Sequence, residues 1–83
     1  MTPLQTRVQQ AAIDYLGDES NGGWGISVDE LAKELGESKA TIKGTIGSLV
    51  KARLGYTEHD GRHTDCYYPI AFMRYIAHID NET

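Results

Sequence analysis

Residues 27–56 read SVDELAKELGESKATIKGTIGSLVKARLGY, and the order of signals in this stretch decides the fold. Ser27 is a helix cap, with Glu30 three residues on to reach back to it, and Val28, Leu31, Ala32 and Leu35 then fall on one helical face. Gly36 supplies the left-handed residue that stops this helix. Ser38 caps the next one, in which Ile42, Ile46, Leu49 and Val50 stand at i, i+4, i+7 and i+8, the spacing of a core-facing stripe, and which runs to Arg53. Two short amphipathic helices joined by a tight turn are therefore expected. Gly44 and Gly47 lie inside the second helix at about 1 kcal/mol each relative to alanine. Either something approaches the backbone closely there, or the glycines are simply tolerated.

Working outward, Thr2, Pro3 and Gln5 form a cap, a first-turn proline and a capping-box partner. They open a first helix whose apolar face is Leu4, Val8, Ala11, Ala12, Tyr15 and Leu16 and which Gly17 ends. Residues 17–23 are too polar and glycine-rich for anything but a loop, and Trp24-Gly25-Ile26 adds one very short strand, with Trp24 as a core or edge anchor. Downstream, residues 56–59 and 62–68 flank Asp60-Gly61, a two-residue hairpin signal that pairs His59 with Arg62 and Glu58 with His63. Tyr56, Tyr67 and Tyr68 in this hairpin read as packing residues. Pro69 then opens a last helix carrying Ile70, Phe72, Met73, Ile76 and Ile79. The fold class is α+β, mainly α, in one domain over residues 1–83.

The composition agrees with a small folded domain. The chain has 83 residues, 40% apolar and 24% charged, which allows one core and little else. No apolar run approaches the roughly 20 residues of a membrane helix, and the first residues lack a leader pattern, so the expected compartment is the cytoplasm and no membrane partner is expected. Cys66 is the sole cysteine, which rules out an intrachain disulfide. The net charge of −4 is unevenly spread. Residues 1–37 hold Asp14, Asp18, Glu19, Asp29, Glu30, Glu34 and Glu37 against Arg7 and Lys33. Residues 38–75 hold Lys39, Lys43, Lys51, Arg53, Arg62 and Arg74 against Glu58, Asp60 and Asp65. The chain is electrically two-sided, with the positive part on the second helix of the pair and the hairpin.

The order helix, short strand, helix, tight turn, helix, hairpin, helix has a known counterpart. Residues 28–54, with small Ala32 where two helices approach, Gly36 in the turn, and Ile42 and Ile46 anchoring the second helix, resemble a helix-turn-helix. The run from Leu49 through Tyr56 to Asp60-Gly61-Arg62 is similar to the junction of recognition helix and wing in winged helix-turn-helix regulators. It departs from the commoner pattern in carrying two glycines and few long polar side chains on that helix. The resemblance implies a three-helix core, a β-hairpin wing and a C-terminal helix. It further implies a DNA-binding transcriptional regulator whose recognition helix enters the major groove of double-stranded DNA. Ser38, Lys39, Thr41, Lys43, Thr45 and Ser48 would face the DNA from the helix, and Arg62 with His59 and His63 from the wing. A homodimer through the first and last helices is expected, because Ile70, Phe72, Met73, Tyr75, Ile76 and Ile79 cover more than one face of the last helix.

Other chemistry is poorly supported. His59, His63, Cys66 and His78 are the only soft metal ligands, and the expected register puts the first two on opposite faces of the hairpin, so no metal is expected. Cys66 reads as a structural thiol without a pocket or orienting group. The glycines of residues 22–25 lack the lysine of a phosphate-binding loop. No cofactor and no enzymatic activity follow. Two alternatives to DNA binding remain open: a protein-interaction module using the acidic first two helices, and an acidic inhibitor that competes with nucleic acid for a basic partner.

Overall fold

The computed structural model describes residues 1–59 and 65–70. Within them the chain forms a small α+β fold, three α-helices and a three-stranded antiparallel sheet, mostly helical. The order is α1 (Pro3–Gly17), β1 (Ile26–Ser27), α2 (Val28–Leu35), α3 (Lys39–Lys51), β2 (Gly55–Glu58) and β3 (Cys66–Pro69), with a single 3₁₀ turn at Glu19–Asn21 after α1. The layout is consistent with a winged-helix arrangement. Arg62, His63 and the helix expected beyond Ile70, with the dimer contact assigned to it, lie outside the described residues.

Each helix starts where its cap dictates. The Thr2 hydroxyl accepts from the Gln5 N–H at 3.1 Å and the Thr2 N–H donates to Gln5 Oε1 at 2.7 Å, a complete capping box with Pro3 in the first turn. Ser27 accepts from the Glu30 N–H at 3.1 Å and Ser38 from the Thr41 N–H at 3.1 Å. The return bond expected from Glu30 is not made, so α2 is capped from one side only. Gly36, at φ 67°, ends α2, and the Glu37 N–H closes on the Ala32 carbonyl at 3.0 Å. The same closure ends α3, where the Leu54 N–H meets the Leu49 carbonyl at 2.9 Å, but the left-handed position is Arg53, at φ 62°. The helix therefore stops at Lys51 rather than at Arg53.

The apolar stripes of the three helices meet over one core. Val8 and Ala12 of α1, Val28, Leu31 and Ala32 of α2, and Ile42, Ile46 and Leu49 of α3 are buried together with Ile26 and Tyr67. Leu4, Ala11, Tyr15, Leu35 and Leu54 pack around them. Side chains of Leu and Ile buried to this degree contribute about 1.5–3 kcal/mol each. Val50, expected in the stripe, is 37% exposed. At about 100° per residue it lies some 80° from Ile42 around the helix and at the edge of the buried arc, where it borders the cleft toward β2. Trp24, read as a core or edge anchor, is 58% exposed and belongs to no core.

The sheet order is β1-β3-β2, so β3 is central. Its pairing corrects the expected hairpin. Gly55 faces Pro69, Tyr56 faces Tyr68, Thr57 faces Tyr67 and Glu58 faces Cys66. A two-residue turn at Asp60-Gly61 would have set Glu58 against His63. The connection is instead the seven residues 59–65, whose ends are joined by His59 Nδ1 and Asp65 Oδ1 at 3.0 Å. Tyr67 explains the choice of register. Its ring enters the core fully buried, and its hydroxyl donates to Gln9 Oε1 on α1 and lies 3.4 Å from the Leu54 carbonyl. Gln9 Nε2 donates to that same carbonyl at 2.9 Å. A shifted register would send this side chain to the opposite face.

Candidate nucleic-acid interface

The α2–α3 pair is a compact unit. Residues 36–38 make the turn, and the stripes on both helices place α3 against α2 and α1, leaving one long side of α3 outward. With Ile42, Ile46 and Leu49 defining the inward direction, the position most nearly opposite is occupied by Ala40, Gly44, Gly47 and Lys51. A Cβ built on Gly44 or Gly47 would meet nothing within 4 Å. No described part of the protein approaches the helix backbone there, so the outward ridge of α3 is bare except for Lys51.

The residues expected to face DNA divide between the two flanks of this ridge. Lys39 and Lys43 lie on the flank toward the hairpin. Lys39 Nζ pairs with Asp29 Oδ1 on α2 at 3.2 Å, both well exposed, an arrangement worth about 0–1 kcal/mol in solvent. Lys43 borders a cleft of about 310 Å³ between α3 and the strands, with Val28, Ile46, Gly47, Val50, Thr57 and Asp65. On the other flank the hydroxyls are already engaged. Ser38 donates to Thr41 Oγ1 at 2.9 Å, Thr45 to the Thr41 carbonyl at 2.9 Å, and Ser48 to the Thr45 carbonyl at 2.7 Å. Ser48 also accepts from Gln5 Nε2 at 2.8 Å, which ties it to α1. The helix candidates are thus not one patch but a cationic flank and a self-bonded hydroxyl flank. His59 is exposed at the end of β2 and held by Asp65.

Sequence reasoning missed two groups. Lys51 and Arg53 are exposed beside the same helix, and residues 38–57 contain Lys39, Lys43, Lys51 and Arg53 without a single acid. The absence of acid over that interval was visible in the sequence once the ends of α3 and β2 are drawn. Lys43, Lys51 and Arg53 have no ion-pair partner among the described residues, whereas the acids Asp14, Asp18, Asp29, Glu30 and Glu34 are exposed on or beside α1 and α2. Asp18 is turned to local use, since the Ser20 hydroxyl and N–H both bond to it and hold its carboxyl below the usual range.

Among the described residues no group of three His, Cys, Asp or Glu side chains converges to hold a metal ion, and no helix is long and apolar enough to cross a membrane. Set beside known proteins, the chain matches no family model and no curated sequence.

Proposed function

We propose that this chain is a winged helix-turn-helix domain that binds double-stranded DNA through α3 and acts as a transcriptional regulator. The observation that carries the reading is the second helix of the α2–α3 pair: a bare outward ridge beside a run of four exposed cations with no acid between residues 38 and 57. A cylinder with little relief fits the floor of the major groove, and lysines on its flank reach the phosphates along the groove edge. Few side chains on the ridge can pair with base edges. The expected binding is therefore dominated by phosphate contacts and by shape, with modest discrimination between sequences.

The test is fluorescence anisotropy on mixed duplex DNA across a salt series, with the wild type and a Lys39→Ala, Lys43→Ala double variant. Binding should fall steeply with salt, and losing two phosphate contacts should reduce the log–log slope by about 1.8. Absence of binding at low salt in a folded protein would sink the DNA reading. The second reading, a protein-interaction module, is favoured by the exposed acids of α1 and α2. Such binding would survive the double variant and be lost on neutralising Glu30 and Glu34.

A further inference from the structure

The face of the sheet turned away from the core carries its own site. Side chains alternate along a strand, so with Tyr67 inward, Cys66 and Tyr68 stand on the outer face. Tyr68 stacks on its cross-strand partner Tyr56, ring centroids 5.0 Å apart and planes 7° from parallel. It also lies against the backbone of Gly25, where an added Cβ would come within 2.9 Å of its Cε2. Tyr68 is fixed, and it forms one wall of a cavity of about 220 Å³ whose other lining residues are Trp24, Glu58, His59 and Cys66. Trp24, which lines it, is 58% exposed, and the Glu58 carboxylate has no ion-pair partner among the described residues. His59 is taken up by Asp65.

The geometry points to this cavity as a socket for a cationic side chain, the arginine of a basic segment of a partner protein. Trp24, more than half exposed, offers an aromatic surface beside the buried Tyr68, and a planar guanidinium stacks on such a surface while its N–H groups remain free to bond. Glu58 at the rim supplies the matching charge. A purely apolar occupant would leave that carboxylate facing it, and an anionic one would be repelled. The site does not depend on the DNA reading, because all its residues lie on or next to the sheet and none on α3.

Trp24 is the only tryptophan, so its emission reports directly on occupancy. The experiment titrates the whole chain at pH 8, above the ordinary imidazole range, with the capped tripeptide Gly-Arg-Gly and with its neutral counterpart Gly-Gln-Gly. A saturable change with the arginine peptide alone is expected. Glu58→Gln should weaken it about two- to fivefold, as for an exposed ion pair. Trp24→Leu, followed by amide shifts of the residues lining the cavity, should weaken it at least as much. Equal responses to the two peptides, no saturable response in the wild type, or full affinity in Glu58→Gln would overturn the proposal. A change in Trp24 emission with protein concentration alone, matched by a dimer in sedimentation, would give the socket to a second copy of the chain and overturn it too.

Discussion

Arg53 occupies the left-handed position that ends α3, at φ 62°, where α2 uses Gly36 at φ 67°. The two helices close with the same six-to-one hydrogen bond, yet only one of them carries the residue the geometry favours. A side chain in that region costs about 1–2 kcal/mol against a helical residue, and glycine is largely relieved of it. Arg53→Gly is expected to raise stability by about 0.5–1 kcal/mol in urea unfolding. It should at the same time weaken DNA binding, since it removes one of the four cations around α3. A stabilised variant with unchanged DNA affinity would show that Arg53 is not at the interface. The contrast was not legible in the sequence, where Arg53 reads as the last residue of a helix. Propensity favours arginine within a helix, and only the position of Leu54, packed against the core, ends the helix two residues earlier, at Lys51.

At the scale of elements, α3 and the Tyr67 junction make opposite predictions. Nothing opposes a Cβ on Gly44 or Gly47, so Gly44→Ala and Gly47→Ala should each stabilise the protein by about 0.5–1 kcal/mol, read by thermal or urea unfolding. If α3 lies close against the groove floor, the same two variants bind DNA more weakly although they are more stable; unchanged binding would mean the ridge does not touch DNA. Tyr67, in contrast, joins β3 to α1 through Gln9, and Gly55 is required beside it because a Cβ there would overlap the phenol. Tyr67→Phe leaves Gln9 Oε1 without its donor and is expected to cost about 1–3 kcal/mol. Burial, opposed in part by the bond to Gln9, pushes the Tyr67 hydroxyl up to about 12. The unfolded chain then gives up this proton near pH 10 while the folded one keeps it. Stability from this group is complete below pH 10 and is lost as pH rises toward 12. Urea midpoints measured between pH 9 and 11.5 should therefore fall more steeply in the wild type than in Tyr67→Phe. Part of the slope will remain, because burial also raises Tyr15 and Tyr56.

For the whole molecule, the uneven charge is the property with the largest reach. The net charge of −4 opposes approach to DNA at long range, and the acid nearest the cationic flank is Asp29, 3.2 Å from Lys39. Asp29→Asn releases Lys39 and removes that acid, so DNA affinity at low salt should rise several-fold, with the gain fading as salt shortens the Debye length. Helix α2 should lose about 0.3–1 kcal/mol, since Asp29 sits in its first turn. A protein partner held by the acidic face would respond in the opposite direction.

The sequence by itself determined where the three helices start and where α2 stops, because these are local events. Thr2, Ser27, Ser38 and Gly36 act on backbone groups a few residues away, and the stripes through Val8, Leu31 and Ile42 follow from helical period alone. The charge division between residues 1–37 and the segment that follows is likewise a property of order along the chain. What only the tertiary structure decided is the hairpin and the shape of the candidate surface. Asp60-Gly61 favours a two-residue turn locally, but burial of Tyr67 against Gln9 outweighs a turn preference and sets Glu58 opposite Cys66. The same holds for the division of the α3 candidates into two flanks, for the exposed Trp24 and for the cavity it shares with Glu58. Each depends on which elements come to lie beside one another, and that is fixed by contacts between residues far apart in sequence.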